Sequence, residues 1–134
     1  MTDTSQTVST SLSLPIRVVH GAIVGALEGG SRYWLHGAAK LEGYEKPGSS
    51  VVWWGHQEFF KQPFSFEAQF EDPNLDEGNN EGRRTLSNCD LNRAVSTMVD
   101  KAPRHFADLK AGNGDATTYD VFMQCLVLDD IVFG

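Results

Sequence analysis

The sequence is poor in the residues from which most metal and nucleophilic sites are built. Among 134 residues there are two cysteines, Cys89 and Cys125, 36 positions apart. They form neither a zinc set nor a close-spaced redox pair. In a chain without an export signal they are expected to stay reduced and buried. His20, His36, His56 and His105 show no zinc-motif spacing, so no metal is expected. No glycine-rich phosphate loop and no Gly-x-Ser-x-Gly elbow occurs. No apolar run reaches the ~18 residues that span a bilayer, so no membrane partner is expected. Cations are scarce: 11 Lys and Arg stand against 18 Asp and Glu, a formal charge of −7. Phosphate backbones repel such a chain, which disfavours direct nucleic-acid binding. No set of acid, base and nucleophile emerges, so the expectation is a non-enzyme without cofactor.

What is present describes one α+β domain. Residues 1–12 are Thr/Ser-rich and read as a mobile leader, and residues 13–134 read as the domain. The leader lacks the basic and apolar regions of a signal peptide, which points to the cytoplasm. The acid excess is concentrated at residues 71–81, where Glu71, Asp72, Asp76, Glu77 and Glu81 fall in a polar loop too long for a tight hairpin turn.

Ser13-Leu14-Pro15 opens a helix whose apolar stripe is Ile16, Val19, Ile23, Val24 and Leu27. Gly29-Gly30 is expected to end it in the left-handed conformation. Gly21 and Gly25 are either weak helix positions or points of close approach. Arg32–Ala38 and Val51–Trp54 read as strands, with Lys40–Ser50 a loop between them. In Phe64–Phe70, aromatic and small residues alternate with polar ones, the pattern of a strand buried on one face. Ser87-Asn88-Cys89-Asp90 resembles a capping box before the stripe Leu91, Ala94, Val95, Met98 and Val99. Pro103 ends that helix, and Arg104–Lys110 reads as irregular. Asp115 or Thr117 caps a last helix with Asp120 in its first turn, favourable to the dipole. That helix is apolar on two faces and is expected to lie between the sheet and either another helix or another subunit. Ile131–Gly134 is expected either to pair as an edge strand or to dock on the core. The fold class is therefore α+β, a small mostly antiparallel sheet of three to four strands with about three helices packed on it.

Ala26-Leu27-Glu28-Gly29-Gly30 followed by Tyr33-Trp34 is similar to the A-L-E-G-G-x-x-Y-W signature of a family of small uncharacterised bacteriophage proteins. The run Asp115–Gln124 and the aromatic-Gly ending Phe133-Gly134 resemble that family's C-terminus, although Asp129-Asp130 stands where Gly-Glu is expected. The resemblance implies phage or prophage origin, hence the host cytoplasm, and assigns no catalytic residue.

Within the Gly-Gly corner, Glu28 in a last helical turn is disfavoured by the dipole. Its partner is either internal, such as Arg32, or a ligand hydroxyl. Tyr33, Trp34 and Trp54 either fill the core or stack a base. The pairs Arg83-Arg84 and Arg104-His105 either neutralise nearby acids or fork onto phosphate. The ligand-binding candidates are Glu28, Arg32, Tyr33, Trp34, Trp54, Arg83, Arg84 and Arg104. The expected function is a phage accessory protein, a homo-oligomer that sequesters a nucleotide-like ligand from host defence in pockets between subunits. The alternative is an acidic inhibitor, of anti-CRISPR or anti-restriction type, whose residues 71–81 mimic nucleic acid towards a host defence protein.

Overall fold

The structure, a computed structural model, describes residues 12–76 and 78–134. The leader expected at the N-terminus, apart from Leu12, lies outside the described residues, as does Glu77. The chain forms α1 (Ile16–Gly25), a π-helical turn (Ala26–Gly30), β1 (Leu35–Glu42), a 3-10 turn (Trp53–Gly55), α2 (Gln57–Lys61), β2 (Ser65–Glu71), β3 (Glu81–Ser87), α3 (Asn88–Lys101), α4 (Pro103–Ala111) and α5 (Ala116–Leu128). The three strands make one antiparallel sheet in the order β1-β2-β3. The α+β class holds, with more helix than expected. Among the described residues no helix is long and apolar enough to cross a membrane.

β2 is the centre of the sheet because its alternation is clean. Phe66, Ala68 and Phe70 point inward beside Leu86 and Gly82 of β3, while Glu67 and Gln69 face out. Phe59, Phe60, Phe64 and Phe66 pack edge and face against one another and against Trp53. The second organising element is α5. Thr118 and every residue from Asp120 to Val127 are buried, against α1, the π-helical turn, α3 and α4. Both apolar faces of α5 are thus filled within one chain, and no second subunit is needed to cover them.

Two arginines finish α5. A helix C-terminus leaves carbonyls without partners. Arg84 Nη1 donates to the Val127 carbonyl at 2.9 Å, and Arg93 Nη2 donates to that of Leu126 at 2.6 Å. Asp129, in the left-handed conformation with φ 60°, accepts from Arg84 Nη1 at 2.9 Å and forms an ion pair with the Arg93 guanidinium. At the other end of α3, Ser87 and Asp90 form the expected reciprocal capping box.

Several expectations are corrected. Gly29 and Gly30 are not left-handed. The helix widens into the π-helical turn, closed by Ser31 N–H to the Ala26 carbonyl at 3.0 Å. Gly30 is needed for close approach, since a Cβ there would sit 2.8 Å from the Ala116 carbonyl oxygen. The first strand starts later than Arg32, because Ser31–Trp34 is a turn in which Trp34 N–H and Leu35 N–H both reach the Ser31 carbonyl. Val51–Trp54 is not a strand. Val51 and Val52 are exposed, and the chain tightens into a 3-10 turn that lays Trp53 on Phe59. Arg104–Lys110 is helical, because Pro103 occupies the first position of α4, where its missing N–H costs nothing. Residues 72–80 do connect a hairpin, with Asp72 N–H on the Asn80 carbonyl. Cys89 is exposed, whereas burial raises the Cys125 thiol to about 11 and keeps it unreactive.

Gly25 is a point of close approach. A Cβ there would lie 2.3 Å from the Tyr119 ring, whereas one on Gly21 meets open space. Gly25→Ala should therefore lower stability by about 1–3 kcal/mol through overpacking. Gly21→Ala should raise it by up to ~1 kcal/mol through helix propensity. Urea denaturation of the two variants checks the opposite signs.

Candidate functional site

The corner after α1 is built around a carboxylate. Asp120 Oδ1 accepts from the Ser31 hydroxyl at 2.7 Å and from Trp34 Nε1–H at 2.7 Å. Its Oδ2 accepts from the Tyr33 hydroxyl at 2.6 Å and from Gln124 Nε2 at 3.1 Å. All four partners are neutral. The wide turn preceding Ser31 is what brings Ser31, Tyr33 and Trp34 onto α5 together. Asp120 lies beyond the first turn of α5, not in it as expected for favouring the dipole. It is buried, and these bonds are what make a buried carboxylate tolerable. With about four lone-pair sites taken, it has none left for a substrate proton.

Gln124, one turn further along α5 and 1% exposed, extends the network to the C-terminal segment. Its Oε1 accepts from the backbone N–H of Val132 and of Phe133, both at 2.8 Å. Its Nε2 also donates to the Phe133 carbonyl at 3.1 Å. This side chain treats the segment as a neighbouring strand would. Phe133 is thereby laid parallel over Trp34, with ring centroids 5.9 Å apart, and edge-on to Tyr33. Lys101 Nζ, 3.1 Å from Asp130, ties the start of the segment to α3 and holds the Asp130 carboxyl below its usual range.

The docked segment, the α3–α4 junction and the first turns of α5 enclose a hollow of about 470 Å³. Val121, Ile131 and Phe133 supply apolar wall, and Asp120 also lines the hollow. Lys101, Arg104 and His105 stand at the junction where α4 begins. The α4 N-terminus has no side-chain cap, so its first N–H groups add positive potential there. The His105 ring lies 3.4 Å from the Thr118 hydroxyl.

The structure disperses the candidates predicted from sequence. Arg104 alone of the eight lines this hollow. Tyr33 is 55% exposed, yet its hydroxyl is held by Asp120. Burial, then the hydrogen bond and negative charge of Asp120, push that phenol up to about 12. Trp34 is wholly buried, so it offers no face to a ligand, which corrects the stacking role expected of it. Glu28 and Arg32 are exposed and lie apart from the hollow. Trp54 is half-buried beside α1, its carbonyl accepting from His20 Nε2 at 2.9 Å. Arg83 sits on the outer sheet face against Glu67 and Glu81, and Arg84 caps α5. Both guanidinium groups are paired with carboxylates, Arg83 in exposed ion pairs, and both line another hollow of about 530 Å³ beside Asp72 and Asn74.

Asp120, Gln124 and Phe133 are not among the candidates that the sequence offers. The available signal was the pair Asp120 and Gln124, polar residues at i and i+4 in a helix apolar on both sides. A buried helix keeps such a pair only where something satisfies it. Among the described residues no His, Cys, Asp and Glu group is arranged to hold a metal ion. Comparison of the chain with protein-family models, with curated proteins and with solved structures finds no match.

Proposed function

We propose that this chain captures, without turning it over, a small phosphorylated, nucleotide-like ligand in the hollow beside α4. The observation that carries the reading is the Phe133 ring, backed by Trp34, in one hollow with Arg104 and the uncapped start of α4. An aromatic wall suits a base, and a guanidinium at a helix N-terminus suits phosphate. Phe133 takes the stacking role first assigned to Trp34, and Arg104 the phosphate role shared in expectation with Arg83 and Arg84. Saturation of Asp120 supports binding without turnover at this hollow. The pocket belongs to one chain, so capture does not require the homo-oligomer that the apolar faces of α5 had suggested. The resemblance of the Gly-Gly corner to phage proteins supports a setting in host cytoplasm, where removing a nucleotide signal needs affinity and copy number alone.

Calorimetry against a panel of linear and cyclic nucleotides tests this. At least one should bind. Arg104→Ala and Phe133→Ala should each weaken it ~10-fold or more, the loss expected for one charge-assisted contact or one stacked base. Arg83→Ala should leave the affinity unchanged. Silence across the panel overturns the proposal. If neutralising the described acids at 71–81 instead removes an inhibitory effect on a defence complex, the mimicry reading replaces it.

A further inference from the structure

A separate hollow of about 240 Å³ is framed by Lys40, Tyr44, Lys46, Ser49, Trp53 and His56. Within it Ser49 Oγ and His56 Nε2 are 3.0 Å apart. Two turns bring them together. Lys46-Pro47-Gly48-Ser49 closes through Ser49 N–H on the Lys46 carbonyl, with Pro47 and Gly48 (φ 72°) in the second and third places. Those residues in those places suit a type II turn, which requires a positive φ at its third residue. The 3-10 turn then reverses the chain, with His56 N–H on the Trp53 carbonyl, and returns the imidazole to the serine.

A third contact falls on the same oxygen: Val51 N–H donates to Ser49 Oγ at 3.1 Å. In the Nδ1–H tautomer of the neutral ring, His56 Nε2 accepts the serine proton, and this is the tautomer on which the inference below rests. A hydroxyl donating to an imidazole nitrogen within hydrogen-bond reach is the arrangement that activates a serine. Both residues are half-buried, so a small molecule in the hollow has access to them. Trp53 and Val51 give that hollow apolar wall. Lys46 gives it charge, and Lys40 is engaged by Glu45 at 3.6 Å.

From this geometry we infer that Ser49 and His56 form a nucleophile–base pair that accepts an acyl group from a small activated ester. Ser49 Oγ bonds to the ester carbonyl carbon as its proton passes to His56 Nε2. The carbon–oxygen bond to the leaving alcohol then breaks, and His56 returns the proton to that oxygen. The product is an acyl ester on Ser49 and a free alcohol. Water repeats the sequence to release the acid and restore the serine. No oxidant, metal or further reactant is needed. The site is separate from the hollow beside α4, so capture there and acylation here stand or fall independently.

The test uses the whole chain with p-nitrophenyl acetate and, separately, with a fluorophosphonate probe, followed by peptide mapping. The expected result is an acetyl or phosphonyl group on Ser49, absent in Ser49→Ala. His56→Gln should slow its formation ~100-fold or more, the low end of what a general base contributes. Thermal unfolding of both variants, expected to match the parent because the pair sits in a surface loop, separates lost chemistry from lost fold. Nucleotide calorimetry on Ser49→Ala should be unaltered. Three results overturn the inference: no adduct on Ser49, adducts confined to Lys40 or Lys46, or a Ser49 adduct that forms as fast in folded His56→Gln.

Discussion

Asp120→Ala should lower the stability of the folded chain by about 3 kcal/mol or more, a large share of the ~5–15 kcal/mol a domain of this size possesses. Two of the donors it would strand, the Ser31 hydroxyl and the Trp34 indole N–H, are buried and cannot turn to water. Each such loss costs roughly 1–3 kcal/mol, offset in part by removing a buried charge. The Tyr33 hydroxyl, at the exposed end of the network, adds less. Denaturant unfolding followed by tryptophan fluorescence reads the change. A loss below about 1 kcal/mol would mean that Asp120 does not organise the corner.

The same carboxylate predicts an alkaline signature. Tyr33 ionises at about 12 in the folded chain, against 10.0 for a free phenol, through burial and then through its bond to and the charge of Asp120. A folded-state pKa raised above the unfolded one favours the protonated form. This stabilisation is whole below pH 10 and disappears as pH climbs from 10 through 12. Because Tyr33 is largely exposed, the effect is small in energy but distinct in titration. Tyrosinate absorbance should show one late-ionising group, moved down towards 10 in Asp120→Asn and absent in Tyr33→Phe. A late group that persists in Tyr33→Phe would assign it elsewhere.

Gln124→Leu should cost about 2–3 kcal/mol and, more tellingly, release the C-terminal segment. Leucine fills a similar volume but offers nothing to the N–H groups of Val132 and Phe133 or to the Phe133 carbonyl. Amide exchange should then accelerate at Val132 and Phe133 while α3 and β2 stay protected. The Trp34 indole, uncovered as Phe133 leaves, should shift its fluorescence towards that of a hydrated ring. Ligand binding at the α4 hollow should fall with it, since Phe133 supplies one wall. Unchanged exchange at those two amides would show that other contacts hold the segment.

Legibility in the sequence followed the range of the interaction. The alternation of Phe64–Phe70 announced β2, because burial on one face of a strand repeats every second residue. The Ser87–Asp90 box announced the start of α3 because capping is settled within four residues. The two apolar faces of α5 announced a central helix, and the apolar Ile131–Phe133 announced an end that is not left in water, without deciding between an edge strand and the docked segment found. Where local patterns were followed too literally, they misled. Val51–Trp54 has strand composition but pairs with no strand. Gly29-Gly30 has the composition of a helix stop, yet Gly30 answers to a carbonyl of α5 far along the chain.

By itself, then, the amino-acid order determined the α+β class, the central strand, and the capped and buried helices. Each of these rests on periodicity or on neighbours within a turn. Only the tertiary structure decided which polar residues meet. Asp120 joins Ser31, Tyr33 and Trp34 across separations of 86 to 89 residues. Contacts at such distances leave no periodic trace, because the cost of burying a carboxylate is met wherever the fold brings donors to it. The same holds for the hollow beside α4. Its aromatic wall, its arginine and its buried acid come from three parts of the chain, and packing alone makes them one site.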